Sequence, residues 1–399
     1  MLALIYLGLA VYLGDRLCRR FYRFVSFPHR CAAAILVGLL VSSWFTYLAS
    51  LVFARASKPL LWADLLFFAV GTAAISLLNW RSSGGSKPDA ALIQPRAPGS
   101  ETWDWITLGL YGVFVSWMMF ASLNSTGGNL QIAHNEYSDF GPNTAIMQSF
   151  AVGHNFPTEY PHFSGDRIRY HFLFYFQAGN LEFLGLDPAW SLNLLSIVSL
   201  VAMLILVMVL GEVLFDSRTV GRVGSALFFF FGSLSYIPFL HKQGSVRAAI
   251  HAIMNQRDFL PSIFPYRGEL WGVWSQVNFL NQRHLASAIG LVLLVLIFLV
   301  LRYRVLAARQ VTPHPSSDTV RLEPSAPPEI SQDAPYGDLT QRESSPAPAG
   351  ETSPGPMSAD QMPALRVTTG ANESAVPPAE TFRATVAGFI FSGVLLGLL

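Results

Sequence analysis

Residues 191–213 read SLNLLSIVSLVAMLILVMVLGEV, and this run decides the fold class. Its only ionisable side chain is Glu212, close to the end. A helix needs about 20 consecutive apolar residues to cross the hydrocarbon core of a bilayer. Because lipid offers no partners to backbone N–H and C=O groups, a crossing segment of this kind must be a helix. We therefore predict a transmembrane helix here.

Similar apolar runs occur along the rest of the chain. They cover 32–53, 60–79, 104–123, 223–240, 285–301 and 382–399, and a shorter one covers 1–14. Of the 399 residues, 52% are hydrophobic and 13% are charged, whereas soluble domains carry about 25% charged residues. We predict an all-α, polytopic transmembrane helical bundle with about eight spans.

Two polar segments divide the chain into parts. We predict a cytoplasmic linker at 81–103, between N-terminal transmembrane helices at 1–80 and a transmembrane core at 104–302. Residues 303–381 are rich in Pro, Ser, Ala, Glu and Thr, which cannot bury enough apolar surface to order a chain. We predict that they form a disordered cytoplasmic loop, followed by a final helix at 382–399 that either ends in lipid or belongs to a longer chain.

Lysine and arginine placement sets the orientation, because cytoplasmic loops are enriched in both. One cluster precedes the second apolar run: Arg16, Arg19, Arg20, Arg23 and Arg30. With that cluster inside, helix 104–123 leads outward and the 124–190 loop is external. The apolar segment 170–186 cannot also span, because the arginines at 218 and 222 would then be external, against the rule. Its side chains Gln177, Asn180 and Glu182 would also be costly in lipid. We predict a juxtamembrane helix there and a second external loop at 241–283.

The composition excludes several functions. The net charge of +1 provides no basic field for nucleic acid. No P-loop, GxGxxG, GxSxG or HExxH motif is present. The two cysteines, Cys18 and Cys31, flank the arginine cluster on the predicted cytoplasmic side, so we predict no disulfide. The sequence is typical of a multi-pass membrane protein whose partners include membrane lipids.

The 124–190 loop holds most of the candidate chemistry. Its acids and histidines are Glu136, Asp139, Glu159, Asp166, His134, His154, His162 and His171. A carboxylate beside the membrane can take a proton from a hydroxyl or bind a divalent cation. The alternative is that these are solvated loop charges. The histidine spacing matches no compact zinc motif, so we predict no metal site, and a divalent cation is left open.

The 241–283 loop contains a second set of candidates. Arg257 and Asp258 lie inside it, and Arg283 and His284 stand at the outer end of the next span. Arginine can hold a phosphate through two parallel hydrogen bonds. The alternative is that these side chains only anchor the protein at the interface.

The order of these features resembles the GT-C superfamily of membrane glycosyltransferases, which includes protein mannosyltransferases and aminoarabinose transferases. The resemblance covers about 104–302 and rests on YSDF at 137–140, GHNFP at 153–157 and RYHF at 169–172. It is similar in particular to uncharacterised bacterial members. The tandem Asp-Glu of better-known members is absent, and the acids here stand three apart in EYSD at 136–139.

The resemblance implies a sugar transferred from a polyprenyl-phosphate donor to an unknown acceptor on the external face of a bacterial plasma membrane. It implies Asp139 as the catalytic loop acid, which acts as general base or positions the acceptor, with Glu136 as the next candidate. Substrate-binding residues would be Asp258, Arg257, Arg283, His284, Arg169 and His171. No nucleotide is needed, which agrees with the missing phosphate loops.

Two other functions fit the sequence. A transporter or flippase of a lipid-linked or polar substrate would also be a helical bundle, although we expect ionisable groups and broken helices at mid-membrane in that case. A non-catalytic component of cell-envelope assembly is the third possibility. Polyprenyl-phosphate sugar transfer would separate the first function from these two.

Overall fold

A computed structural model describes most of the chain in side-chain detail. The described residues are 1–82, 99–133, 137–169, 171–232, 234–255, 274–311 and 378–399. The helices are α1 Leu2–Phe21, α2 Phe27–Val52, α3 Pro59–Ser82, α4 Glu101–Ser122, α5 Tyr137–Ala151, α6 Leu173–Phe183, α7 Pro188–Phe215, α8 Arg218–Phe229, α9 Tyr236–His241, α10 Val246–Met254, α11 Trp274–Asn281, α12 Leu285–Val311 and α13 Pro378–Gly397. The strands are β1 Leu123–Thr126, β2 Asn129–Ile132, β3 Glu159–Tyr160 and β4 Phe163–Arg167.

The helical membrane bundle is confirmed for five of the predicted spans. In the described part of the chain, α2, α3, α4, α7 and α12 are long and apolar enough to cross a bilayer. The central one is α7, which has 28 residues and the highest mean hydropathy of the five. The protein is therefore a multi-pass, mainly helical membrane protein.

The predicted count of about eight spans is not confirmed. The predicted span at 223–240 is wrong as a continuous helix: α8 has 12 residues and α9 has six. Residues 232–235 read GSLS, and glycine and serine form helices poorly. The apolar part of α13, Val386–Gly397, is too short to span a bilayer. Helix α1 has 20 residues but is not among the five helices that are long and apolar enough to span.

The segment at 170–186 forms only the short helix α6, in agreement with the prediction that it does not span. Its 11 residues reach about 16 Å, half of the hydrocarbon thickness. Helix α6 packs tightly on α5, because a Cβ added to Gly179 would lie 2.5 Å from the carbonyl oxygen of Met147. Helix α6 is also buried against α2 and α3, to which Gln177 and Asn180 donate hydrogen bonds.

Two short hairpins complete that loop, which the all-α prediction did not foresee. Strand β1 pairs with β2, and β3 pairs with β4, in both cases antiparallel. The first hairpin turns at Gly127 and Gly128, whose φ angles of +60° and +81° suit glycine. The hairpins shape the loop without forming a larger sheet.

The first two helices cross at small residues. A Cβ on Gly14 would lie 2.2 Å from the carbonyl oxygen of Ala34, and one on Gly38 would lie 2.3 Å from that of Ala10. These pairs have the small-xxx-small spacing that lets membrane helices approach closely. Nearby, the guanidinium of Arg30 binds the carboxylate of Asp15 at 2.5 Å.

A buried ionic cluster ties together the start of α4, the end of α7 and the start of α8. Arg222 binds Asp104 at 2.7 Å, and Arg218 lies 3.7 Å from Asp104 and 3.9 Å from Glu212. Further along, Arg304 of α12 binds Asp216 at 3.0 Å. These arginines therefore lie at one end of the bundle.

Several predicted boundaries shift. Helix α4 begins at Glu101, inside the predicted linker 81–103. Helix α12 continues to Val311, so the predicted disorder from residue 303 is wrong for its first residues. The sequence LRYRVLAARQ at 301–310 consists mainly of good helix formers, which explains the extension. Most of the predicted disordered loop, 312–377, lies outside the described residues.

Candidate functional site

Asp139 lies in the first turn of α5, and its carboxylate is held by a residue 143 positions later in the sequence. The side-chain nitrogen of Gln282 donates a hydrogen bond to its Oδ2 atom at 2.9 Å. Asp139 is half-buried and stands where the positive end of the helix dipole favours a carboxylate. The acid that the sequence singled out is therefore fixed in position and open on one side.

Arg283, next to Gln282, is one of the largest fully buried side chains of the protein. It donates hydrogen bonds to Oδ1 of Asn193 at 2.5 Å and to Oγ of Ser122 at 2.9 Å. Its guanidinium also lies over the ring of Phe140, 4.8 Å from the centroid. Arg283 thus joins the end of α4, the start of α7 and the first turn of α5.

This placement bears on the predicted role of Arg283 as a donor-phosphate ligand. Its side chain is only 2% exposed and is directed into protein contacts. The geometry assigns it the task of holding the segment 282–284 in place, which in turn brings Gln282 to Asp139. Direct contact between Arg283 and a phosphate stays a prediction.

His284 and His171 form a pair of neighbouring rings. Their centroids are 3.5 Å apart, with 33° between the planes. Burial lowers the pKa of His284 to about 3, and the adjacent His171 adds to this shift. Partial burial also lowers the pKa of His171, while a hydrogen bond with Gln282 opposes that change. Both rings are therefore neutral at pH 7, able to donate one hydrogen bond and accept another.

A cavity of about 240 Å³ opens beside this histidine pair. Its walls are mostly apolar side chains of α2, α6 and α12, and its polar lining groups come from the histidine pair and three uncharged residues. The apolar lining residues include Leu36, Leu40 and Leu291, and the three uncharged polar residues are Ser43, Gln177 and Ser287. An apolar cavity with a polar group at one side suits a molecule that has an apolar chain and a polar head.

Asp139, Gln282, His171 and His284 thus form one connected group. Gln282 hydrogen-bonds both Asp139 and His171, and His171 lies against His284 at the cavity. The structure brings the predicted residues Asp139, His171 and His284 together, with Gln282 between them. The two neutral imidazoles line the apolar cavity, and the carboxylate of Asp139, which can accept a proton, is connected to them through Gln282.

The other predicted site residues are not part of this group. Arg169 is exposed, in the segment before α6. Glu136, Arg257 and Asp258 lie outside the described residues. Within the part of the chain that the structure describes, no set of three His, Cys, Asp or Glu side chains could hold a metal ion.

Sequence reasoning missed the role of Glu182. Both of its carboxylate oxygens accept hydrogen bonds from Nε2 of Gln148, at 2.7 and 2.8 Å, which joins α6 to α5. Burial raises the pKa of Glu182, and the bond from Gln148 opposes the shift. An acid within an apolar helix was the available signal, but the sequence cannot name its partner.

Gln282 was missed as well. It stands beside the predicted Arg283 and His284 in the sequence NQRH at 281–284, and an uncharged amide gives no signal of its own.

Comparison with family models, with curated proteins and with solved structures finds no match to this chain.

Proposed function

We propose that this chain is an integral membrane glycosyltransferase that moves a sugar from a polyprenyl-phosphate donor to an acceptor on the external face of a bacterial plasma membrane. The hydrogen bond between Gln282 and Asp139 is the observation that carries the proposal. It links the acid of the first loop to the start of α12, where the apolar cavity lies. A lipid-linked sugar requires this combination of a carboxylate and a cavity for an apolar chain.

The orientation follows from the charges at the two ends of the bundle. Arg218, Arg222 and Arg304 lie at the end where α4 begins and α7 ends. Asp139 and the histidine pair lie at the opposite end, where α4 ends and α7 begins, as the contacts of Arg283 require. The positive-inside rule assigns the arginine end to the cytoplasm, so the site faces outward.

The chemistry is a displacement at the anomeric carbon. The acceptor oxygen forms a bond to that carbon while the bond from the carbon to the phosphate oxygen breaks. The carboxylate of Asp139 takes the proton of the acceptor hydroxyl, and the lipid phosphate leaves with the electron pair. Neutral His171 and His284 can donate hydrogen bonds to the phosphate as its charge develops.

The test is sugar transfer by the purified protein in lipid nanodiscs, with a panel of radiolabelled polyprenyl-phosphate sugars and membrane acceptors. We expect Asp139→Asn to lower the rate by about 100-fold or more, the range for loss of a general base. Asp166→Asn is the matched control, because Asp166 is an exposed acid of the same loop. Equal rates for wild type and Asp139→Asn would reject the role of Asp139.

Transport is a second candidate, favoured by one observation. The segment predicted to span at 223–240 is divided into the short helices α8 and α9, and interrupted helices are common in transporters. Movement of a fluorescent polyprenyl-phosphate lipid across proteoliposomes, with no sugar transfer from any donor, would favour this candidate over the transferase.

A further inference from the structure

A buried acid and a buried amide face each other inside the bundle, and neither of them lines the cavity described above. Asp64 of α3 is 2% exposed and Asn180 of α6 is fully buried. Nδ2 of Asn180 donates a hydrogen bond to Oδ1 of Asp64 at 2.9 Å. The other oxygen of each side chain, Oδ2 of Asp64 and Oδ1 of Asn180, has no hydrogen-bond partner among the described residues.

The groups around this pair are polar but uncharged at neutral pH. Tyr6 of α1 is a titratable group that interacts with Asp64, and its hydroxyl contacts the hydroxyl of Thr46 at 2.9 Å, the carbonyl of Ser42 at 3.3 Å and the side chain of Asn180. From α6, Gln177 donates to Oγ of Ser42 at 3.1 Å. Among the described residues, no Lys, Arg or His lies within ion-pair distance of Asp64.

An ionised Asp64 would be poorly stabilised in this place. A buried carboxylate needs a cation or several donors to offset the loss of its hydration, and Asp64 has a single amide donor. A buried acceptor without a donor, such as Oδ1 of Asn180, is also unfavourable. Two unfavourable features, a poorly stabilised carboxylate and an acceptor without a donor, therefore occur on neighbouring side chains.

A single proton on Asp64 would neutralise the carboxylate and supply the missing donor to Asn180. Placed on Oδ2 of Asp64, it can be donated to Oδ1 of Asn180, and the existing bond from Nδ2 of Asn180 to Oδ1 of Asp64 then closes a ring of two antiparallel hydrogen bonds. We propose that Asp64 is a proton-binding site and that it pairs with Asn180 as a carboxylic acid with an amide. The proton is taken up from the solvent when the chain folds, and the O–H bond on Asp64 is the only new covalent bond.

The pair has a structural consequence. It joins α3 to α6, and α6 in turn supports α5 through the close contact of Gly179 with Met147. Because α5 carries Asp139, loss of the proton would place a poorly stabilised charge beneath the helices that hold the proposed catalytic acid. This consequence rests on the proposed function, whereas the protonation of Asp64 does not.

Infrared difference spectroscopy tests the proposal directly. Spectra of wild type and Asp64→Asn are recorded in nanodiscs at neutral pH, in H₂O and in D₂O. We expect the difference to show loss of a carboxylic acid C=O band that shifts in D₂O, and no loss of carboxylate bands. Loss of carboxylate bands instead would mean that Asp64 is ionised and would overturn the proposal.

Variants of the pair test the ring of hydrogen bonds. Asp64→Asn retains both bonds as an amide pair, and the double variant Asp64→Asn/Asn180→Asp exchanges acid and amide. We expect both to unfold close to the wild-type temperature, and the acid band to return in the double variant. We expect Asp64→Ala to unfold at a lower temperature. An Asp64→Asn protein as unstable as Asp64→Ala, or a double variant without the acid band, would contradict the ring.

A sodium titration separates a proton from a metal cation at the same oxygens. The unfolding temperature of wild type is measured in sodium and in choline salts at equal ionic strength. We expect equal values, and a specific rise in sodium would assign a cation to the two oxygens and overturn the proposal. None of these measurements uses sugar transfer, so their failure is distinct from failure of the proposed function.

Discussion

Gln282 donates a hydrogen bond to Asp139 at 2.9 Å, across 143 positions of sequence. The two residues belong to different predicted loops, and the bond connects the acid of α5 directly to the residues that precede α12. Gln282 is held there because Arg283, its neighbour, is anchored by Asn193 and Ser122. The position of the acid therefore depends on the second loop as much as on its own.

Gln282→Ala tests this dependence. Without its hydrogen bond, the carboxylate of Asp139 can rotate away from the acceptor, and small misplacements of a reacting group cost up to about 100-fold in rate. We expect kcat for sugar transfer to fall about 10- to 100-fold with little change in KM. Gln243→Ala is the control, since Gln243 bonds only within its own segment. An unchanged kcat would show that Gln282 does not position the acid.

Arg283→Met should destabilise the protein. It removes the guanidinium that donates to Asn193 and Ser122 inside the protein, and each buried acceptor left without its donor costs about 1–3 kcal/mol. We expect Arg283→Lys to recover only part of the stability, because an ammonium cannot reproduce the planar contacts of a guanidinium. The measurement is the unfolding temperature in detergent, with exposed Arg169→Met as control. A wild-type value for Arg283→Met would contradict the anchoring role.

Stability should fall on mild acidification because of His284. The pKa of His284 is lowered to about 3 in the folded protein, whereas the unfolded value is about 6.5. Between these values the unfolded state binds the proton and the folded state does not, so stability is lost as pH falls below about 6.5.

At pH 5 the loss from this residue is about 1–2 kcal/mol relative to pH 7. The comparison is the pH dependence of the unfolding temperature in wild type and in His284→Gln, which has no titrating group at this position. The variant should lose less stability between pH 7 and pH 5. Parallel curves for the two proteins would exclude His284 as the source.

The crossing of α1 and α2 predicts a contrast between two glycines of the same helix. A Cβ at Gly14 would meet backbone atoms of α2 at 2.2 Å, while nothing lies within 4 Å of a Cβ at Gly8. We expect Gly14→Ala to cost about 1–3 kcal/mol, the range for overpacking, and Gly8→Ala to be neutral or slightly stabilising. Unfolding by increasing SDS in mixed micelles measures both. Equal effects would argue against the close helix contact.

Filling the cavity should weaken donor binding. Ala288 lines the cavity, and Ala288→Phe places a ring where the apolar chain of the donor would lie. We expect KM for the polyprenyl-phosphate sugar to rise about 10-fold, as for loss of roughly 1.4 kcal/mol of binding, with a smaller change in kcat. Val292→Phe is the control, because Val292 is 48% exposed on the same helix. An unchanged KM would mean that the donor chain lies elsewhere.

The site was predicted from the sequence only in part. Asp139, His171, Arg283 and His284 were singled out because charged and ionisable side chains concentrate in the two loops that were predicted to be external. Their grouping was not predictable, since Gln282 and Asn193, which hold the group together, are uncharged amides without a sequence signal. The buried contacts of Arg283 with Asn193 and Ser122 were not predictable for the same reason.

The sequence by itself determined that this protein is a multi-pass helical membrane protein, because a long apolar run such as 191–213 has no other stable structure in lipid. It also determined that 170–186 does not cross, because arginine placement and polar side chains oppose it. Only the tertiary structure decided which side chains meet: Gln282 with Asp139, and Asp64 with Asn180. Such contacts join residues far apart in sequence, and their partners are chosen by helix packing, which the local pattern of apolar and polar residues does not encode.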